Sequence, residues 1–432
     1  MQFSVEWISD GPNRNLEERK TLCDLRIDVN GKVVSANVDS RTKDSHDALT
    51  MPAVHLAEGI AVNWWTIFGS RDVAHSLLPW RMGHALPDIR FECQGSGFIF
   101  YTKPLQYENP PLVFWQSAEE FVATQSAEHE FKKILCSVVE RLDDAGVFDS
   151  EVQIAWRRVL DTLQDSEETK FCRAAGALGV DPYAISEEDA MFVEEAGKLF
   201  SGETLIEFLA DVRVREAKSN SIDRLSLLEW MREWRPKYDS ALPRLGEVAV
   251  EVRQTLDDVS NRPPWVIGYL AARAFRDAVG LQNRAPLSIS RMAQKLGTTN
   301  FRRASGPEAL YAVVAREERQ VHIHLRSLGA KTWQRNAETF SFARAIGDAV
   351  CFSDAGLSTI NGLHRATRQA VGRAFAAEVL APKDTVLEMR QEDREVEEIA
   401  ALLEVNSKTV EHQIENTPEQ NKSVGWALGA AN

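Results

Sequence analysis

The stretch Thr339-Phe340-Ser341-Phe342-Ala343-Arg344-Ala345-Ile346-Gly347-Asp348-Ala349-Val350-Cys351-Phe352 constrains this chain more than any other. Phe342, Ala345, Ile346 and Ala349 recur at the i, i+3, i+4, i+7 spacing of one helix face, so the segment reads as a buried helix. Arg344 and Asp348 stand one turn apart on another strip of it, close enough to pair directly. One turn is also the separation of the two metal-binding histidines in a His-Glu-x-x-His helix, where a glutamate beside the first is the general base. Here those places hold Arg344, Ala345 and Asp348.

The order of the segments around this helix resembles the ImmA/IrrE family of bacterial metallopeptidase-like proteins. The segment 339–352 is similar to the family's core helix, and Arg373-Ala374-Phe375-Ala376-Ala377-Glu378-Val379-Leu380-Ala381-Pro382 to its second core helix and closing proline. Ile399 to Ser407 and Val410 to Asn416 resemble the terminal helices, and Pro264 to Leu281 with Ile289 to Gly297 the opening ones. The likeness runs from about Pro264 to Asn416. It implies a mostly helical, zincin-like domain with a small β-hairpin. It also implies a degenerate site, because family members with peptidase potential carry two histidines and a glutamate on the first helix and an acidic ligand on the second. The candidates for that last ligand here, Gln369 and Val371, are not acidic. His129-Glu130 is followed by Phe131-Lys132-Lys133 and offers no second histidine at the required spacing. No catalytic residue, metal or cofactor is expected.

The 432 residues suffice for two or three domains, and 44% hydrophobic content supports sizeable cores. No apolar run approaches the ~20 residues of a membrane helix, so no membrane partner is expected. Five scattered cysteines point to a reducing compartment and a cytoplasmic location. A net charge of −14 disfavours indiscriminate nucleic-acid binding.

The chain reads as an α+β protein with a strand-rich N-terminal domain (1–116), a helical region (117–262), the degenerate ImmA/IrrE-like domain (263–416) and a flexible tail (417–432). In the first part Phe3, Val5 and Trp7 alternate as in a half-buried strand. Asn30-Gly31 between Leu25-Ile27-Val29 and Val34-Ala36-Val38 predicts a type I′ hairpin. A second hairpin pairs Ile89, Phe91 and Cys93 with Phe98 and Phe100 across Gly95-Ser96-Gly97. Between them, Leu56, Ile60, Trp64 and Phe68 predict one helix over 53–68. Trp64, Trp65 and Trp80 are either core filling or an aromatic pocket for a base or a partner side chain.

Ser117 and Glu120 predict a capping box ahead of the stripe Phe131, Ile134, Leu135, Val138, Val139 and Leu142, which Gly146 ends. Ser186 with Asp189 starts another helix, and 222–234 and 245–259 continue the series. The breaker Asn261-Arg262-Pro263-Pro264 marks a domain boundary. Residues 309–314 and 321–325 form a hairpin around Glu317-Glu318. His322 and His324 fall on one face of its second strand; with Asp348, Asp354 or His364 they are the candidate replacement metal site.

Ile399 to Gln413 has the outline of a helix-turn-helix, with Lys408, His412 and Gln413 as donors among Glu404, Glu411 and Glu415. Those carboxylates would repel phosphates, so DNA is not the expected partner. The expectation is a non-catalytic protein-binding or regulatory component, a pseudo-metallopeptidase whose emptied cleft can hold a peptide or partner loop. Its resemblance implies a setting in bacterial phage defence or stress response. The rival readings are a DNA-binding regulator using the terminal helices and a hydrolase with a noncanonical metal site.

Overall fold

The computed structural model describes every residue except 10–14, 105–109, 219–222, 235–240, 257–261, 283, 318–319, 355 and 416–432. Asn261 of the predicted breaker, Glu318 of the predicted turn and the tail therefore lie outside the described residues. The chain is α+β and divides into two compact units, Met1–Glu194 and Glu195–Asn432.

In the first unit β1 (Gln2–Trp7), which precedes the short helix α1 (Leu16–Lys20), pairs antiparallel with β2 (Leu22–Val29). A two-residue turn joins β2 to β3 (Lys32–Val33); Asn30 and Gly31 take φ of 52° and 70°, as a type I′ turn requires. The second arm is shorter than predicted, because β4 (Asn37–Asp39) leaves to pair with β5 (Ser45–His46), and β6 (Leu49–Pro52) takes the place beside β2. The helix predicted over 53–68 is broken at Asn63 into α2 (Val54–Val62) and α3 (Trp64–Gly69). The Asn63 side-chain amide donates to the Gly59 carbonyl at that break, 2.9 Å away.

β7 (His75–Ser76), β8 (Asp88–Cys93) and β9 (Gly97–Lys103) form the next sheet, with Phe91 opposite Phe100 and Cys93 opposite Phe98 as predicted. β10 (Leu112–Phe114) joins β4, and β11 (Ala118–Ala123) lies along β9. Residues 117–120 are thus not a helix cap. Pairing of β11 with the Phe98–Phe100 strand overrides the local signal, and the Glu120 carboxylate accepts from the Asn30 N–H at 2.9 Å. The long helix α4 (Thr124–Asp144) starts later and buries the predicted stripe, with Val139 only partly covered. α5 (Glu151–Thr162) and α6 (Ser166–Leu178) follow, two helices the sequence reading passed over. The junction between units falls within α7 (Glu187–Gly197), which Ser186 caps through the Asp189 N–H.

The second unit begins with α8 (Gly202–Lys218) and α9 (Arg224–Glu233), then β12 (Ala241–Leu242), α10 (Leu245–Thr255), α11 (Pro264–Val279) and α12 (Ile289–Lys295). The predicted hairpin forms as β13 (Ala312–Glu317) and β14 (Gln320–Leu325). The organising helix, α13 (Thr332–Cys351), leads to β15 (Gly356–Ile360) and α14 (Thr367–Leu380). α15 (Lys383–Gln391), α16 (Val396–Leu403) and α17 (Ser407–Glu415) complete it. The sheet order is β12-β14-β13-β15.

Core packing corrects the predicted boundaries. Phe131, Leu135 and Trp156 share one core with Phe3, Phe91 and Trp64, so α4 and α5 belong with the N-terminal sheets. Leu245, Val248 and Val252 of α10 share another with Phe342, Ile346 and Phe375, so the prolines at 263–264 start α11 inside a unit and do not separate domains. A boundary at 262 would cut through that second core.

α13 and α14 pack at close range because Gly347 leaves room for the Phe375 ring; a Cβ there would come within 2.7 Å of it. Gly268 does the same between α11 and α14, where a Cβ would meet the Val371 carbonyl oxygen at 2.5 Å and the Ala374 Cβ at 2.7 Å. Backbone cannot yield there as a side chain can. Gly268→Ala should therefore destabilise the second unit by about 1–3 kcal/mol, read as a lower urea midpoint; an unchanged midpoint would contradict this packing.

Candidate functional site

The polar centre of the second unit lies where α13, α14 and β15 meet. Asp348 of α13 is 1% exposed and is gripped from two sides. Arg316 at the end of β13 donates to its Oδ2, and Arg368 in the first turn of α14 donates to Oδ1 from Nε at 3.2 Å. The Ser358 hydroxyl of β15 adds a bond of 2.5 Å to Oδ2 and itself accepts from Arg316 at 3.1 Å. Arg368 also reaches Asp354 at 2.5 Å and lies over the Phe352 ring, 4.2 Å from its centroid.

A second set of bonds runs through Gln369. Its Oε1 accepts from Arg344 at 2.7 Å and from the Asn361 N–H at 3.2 Å. Its Nε2 donates to the Thr359 carbonyl at 2.8 Å and to Glu207 of α8 at 2.9 Å. Arg344 completes its NH2 contacts on the Asn361 carbonyl at 2.9 Å. All of these side chains are buried.

Charge in such a place must be compensated. Burial works against the Asp348 charge, but Arg368, Arg316 and the Ser358 hydroxyl together outweigh it and hold the carboxyl below the usual range. Burial likewise pushes the Arg344 guanidinium down, with Arg373 adding repulsion. For Glu207 the balance goes the other way. Burial, with the nearby Glu203, pushes its carboxyl up to about 8, against the pull of Arg368 and the Gln369 hydrogen bond.

The structure brings Arg344 and Gln369 into one cluster and Asp348 into the adjoining one. Arg344 and Asp348 do not pair with each other, contrary to the expectation from their spacing. Asp348 is taken by arginines from β13 and α14, while Arg344 turns to Gln369 and Asn361. Ala345 and Val371 are fully buried apolar positions. The residues therefore do not fit a zinc ion: one carboxylate stands among the five positions, and two guanidiniums already neutralise it.

His322 and His324 do not join this centre. Arg316 lies opposite Val321, so the face of the hairpin that meets α13 carries Val314, Arg316, Val321 and Ile323. The histidines alternate to the other face, where His324 stands edge-on to Trp230, ring centroids 5.0 Å apart. Among the described residues, no group of three or more His, Cys, Asp or Glu is arranged to hold a metal ion. His364 is exposed, and its carbonyl accepts from Arg373.

The tryptophans are packing residues of the first unit. Trp64 is 5.1 Å from the Trp156 ring, Trp65 is buried and donates to the Tyr183 hydroxyl at 2.8 Å, and the half-buried Trp80 covers Gly59. Gln413, a candidate base-reading residue, is fully buried. Its Nε2 donates to Glu378 at 3.0 Å and the Ala381 carbonyl at 2.7 Å, and its Oε1 accepts from the Tyr269 hydroxyl at 2.7 Å. Sequence reasoning missed Glu207, Arg316 and Arg368. The available signal was a lone charge inside or ending an apolar run, as in Ile206-Glu207-Phe208 and Val313-Val314-Ala315-Arg316.

No family model, curated protein or solved structure matches the chain.

Removing the Asp348 charge leaves Arg316 and Arg368 buried without their counter-ion. Asp348→Asn should cost about 3–5 kcal/mol in equilibrium unfolding of the second unit; a loss below about 1 kcal/mol would show that the pair is not the anchor described.

Glu207 gives a pH signature of definite sign. Its unfolded carboxyl ionises near 4.5, the folded one near 8, so between these values the folded state holds the extra proton. Its contribution to stability is complete below 4.5 and is lost as pH rises through 8. Unfolding at fixed urea should become easier over that window, and Glu207→Gln should flatten the slope; an equal slope in both proteins would contradict the assignment.

Proposed function

We propose that this chain is a non-catalytic, protein-binding regulatory component whose second unit is a pseudo-metallopeptidase of the ImmA/IrrE kind. The observation that carries the reading is the closed ion cluster at Asp348. Where the resemblance expects metal ligands stand Arg344, Ala345, Asp348, Gln369 and Val371, and each of the polar ones has a protein partner. A metal ion would have to displace Arg316 and Arg368 from a buried carboxylate. Nor does Ala345 offer a base to activate water. A frame retained without that chemistry keeps its use in recognition. A role in a bacterial phage-defence or stress circuit, in the cytoplasm, follows from the resemblance and the reduced cysteines; no described helix is long and apolar enough to cross a membrane.

The hydrolase reading loses its ligand set, since His322 and His324 face away from Asp348. The DNA-binding reading loses its best base reader, since Gln413 is committed to Glu378 and Ala381.

Metal analysis of the full chain purified without chelator, with assays for peptide hydrolysis and for a co-purifying protein, tests the proposal. Sub-stoichiometric zinc, no hydrolysis and a stoichiometric protein partner are the expected results. Stoichiometric zinc lost on replacing His322, His324 or Asp348, together with hydrolysis, would overturn it. Restoring Arg344, Ala345 and Asp348 to His, Glu and His should not create a peptidase, because Gln369 and Val371 add no acidic ligand.

For DNA, gel shifts at physiological salt should show no tight sequence-specific complex, because Glu411 and Glu415 share the exposed face with Lys408. Tight shifts abolished by Lys408→Ala would promote the regulator reading instead.

A further inference from the structure

In the first unit two strands each keep one side without a strand neighbour: β1 pairs only with β2, and β11 only with β9. Side chains of this chain cover most of what they leave open. On β1, the Phe3 N–H donates to Glu130 at 3.4 Å and the Phe3 carbonyl accepts from Lys133 at 3.3 Å, both on α4. On β11 and just ahead of it, Lys32 donates to the Ser117 carbonyl at 2.9 Å. The Asn30 side-chain amide donates to the Glu119 carbonyl at 3.1 Å. Such cover keeps a strand edge from pairing with another chain.

The cover stops at Phe121. Along a strand, successive residues turn their N–H and C=O groups to opposite sides. The Val122 carbonyl points across to β9, 2.6 Å from where a Cβ at Gly97 would stand. The Glu119 carbonyl points to Asn30 on the other side, so Phe121 and Ala123 share that free side. Among the described residues, the Phe121 N–H and C=O and the Ala123 N–H have no hydrogen-bond partner.

These groups open on a cavity of about 1010 Å³, at the top of the range for ligand pockets. Its other walls are polar, with Arg26 and Asp28 from β2 and Gln125, His129 and Glu130 from α4. The wall carboxylates already have partners. Asp28 has Arg26 at 3.0 Å, Glu120 the Met1 ammonium at 2.5 Å, and Glu130 the Phe3 N–H. What is left to satisfy is main chain, and the groups that match it at strand spacing are those of another extended chain. The free strip is three residues long and walled by β2 and α4. It suits one short segment rather than the long edge of a second copy.

We propose that Phe121–Ala123 is a strand-addition site for a short extended segment of a protein partner, polar in its side chains. One residue of that segment, lying antiparallel, accepts from the Phe121 N–H and donates to the Phe121 carbonyl. The residue two before it accepts from the Ala123 N–H. The inference rests on the protein-binding function proposed above and puts the contact in the first unit.

Ala123→Pro tests this on the full chain. Ala123 already has a φ of −55°, which suits proline, and Val122 before it lies in a strand. The substitution removes an N–H that no protein group uses, so the urea midpoint should hold or rise slightly. The probe is a synthetic library of end-blocked pentapeptides. Enriched peptides should bind Ala123→Pro about tenfold more weakly or worse, and should slow exchange of the Phe121 and Ala123 amides in the unaltered chain. Gln125→Trp, which fills the cavity from an exposed position and leaves the edge intact, should give the same loss. It serves as the test if Ala123→Pro lowers the midpoint. No enriched peptide, or peptides that bind both variants as well as the unaltered chain, would overturn the site. A co-purifying protein that both variants retain would overturn it too, while leaving the protein-binding function standing. Zinc and hydrolysis bear on that function alone.

Discussion

The second unit is organised around a single buried carboxylate. Asp348 sits near the end of α13, and the groups that hold it come from β13, β15 and α14. The ion cluster thus ties the central helix to two strands and a second helix at one point. Apolar packing alone would let α13 slide against Ala- and Gly-rich neighbours such as α14. A buried charge admits one register, because any slip leaves a guanidinium or a carboxylate without its partner, at a cost of several kcal/mol. Gly347 and Gly268 then allow the close approach that this register demands.

The same cluster decides what the unit can do. A carboxylate neutralised by two arginines is a poor ligand and a poor base, so the centre serves architecture. Beside it, Gln369 uses both amide hydrogens and both acceptor positions, linking Arg344, Asn361, Thr359 and Glu207. The cleft the resemblance led us to expect as an open concave surface is filled by these side chains. Recognition at this place therefore needs something to move.

Much of the fold was legible in the residues. Asn30-Gly31 fixed the first hairpin because few other pairs accept positive φ at two successive positions. The i, i+3, i+4, i+7 stripes located α4 and α13. The failures came where long-range pairing outweighed local pattern. β11 forms over a good capping sequence because β9 offers it a partner, and the proline pair at 263–264 begins a helix within a core. Of the site, Arg344, Asp348 and Gln369 were visible as replacements for expected ligands. Their partners were not, because Arg316 and Arg368 come from strand and helix ends far along the chain. Glu207 comes from a helix more than a hundred residues earlier, and no spacing rule relates such residues.

The measurement that bears most directly on this account is a double-mutant cycle between Asp348 and Arg368, with each replaced alone and both together by apolar residues of similar volume. An ion cluster that anchors α13 to α14 predicts a coupling of more than about 1 kcal/mol, with the double variant more stable than the sum of the single losses implies. Additive losses would mean that the two residues do not act on one another, and the ion cluster would not be the anchor of the unit.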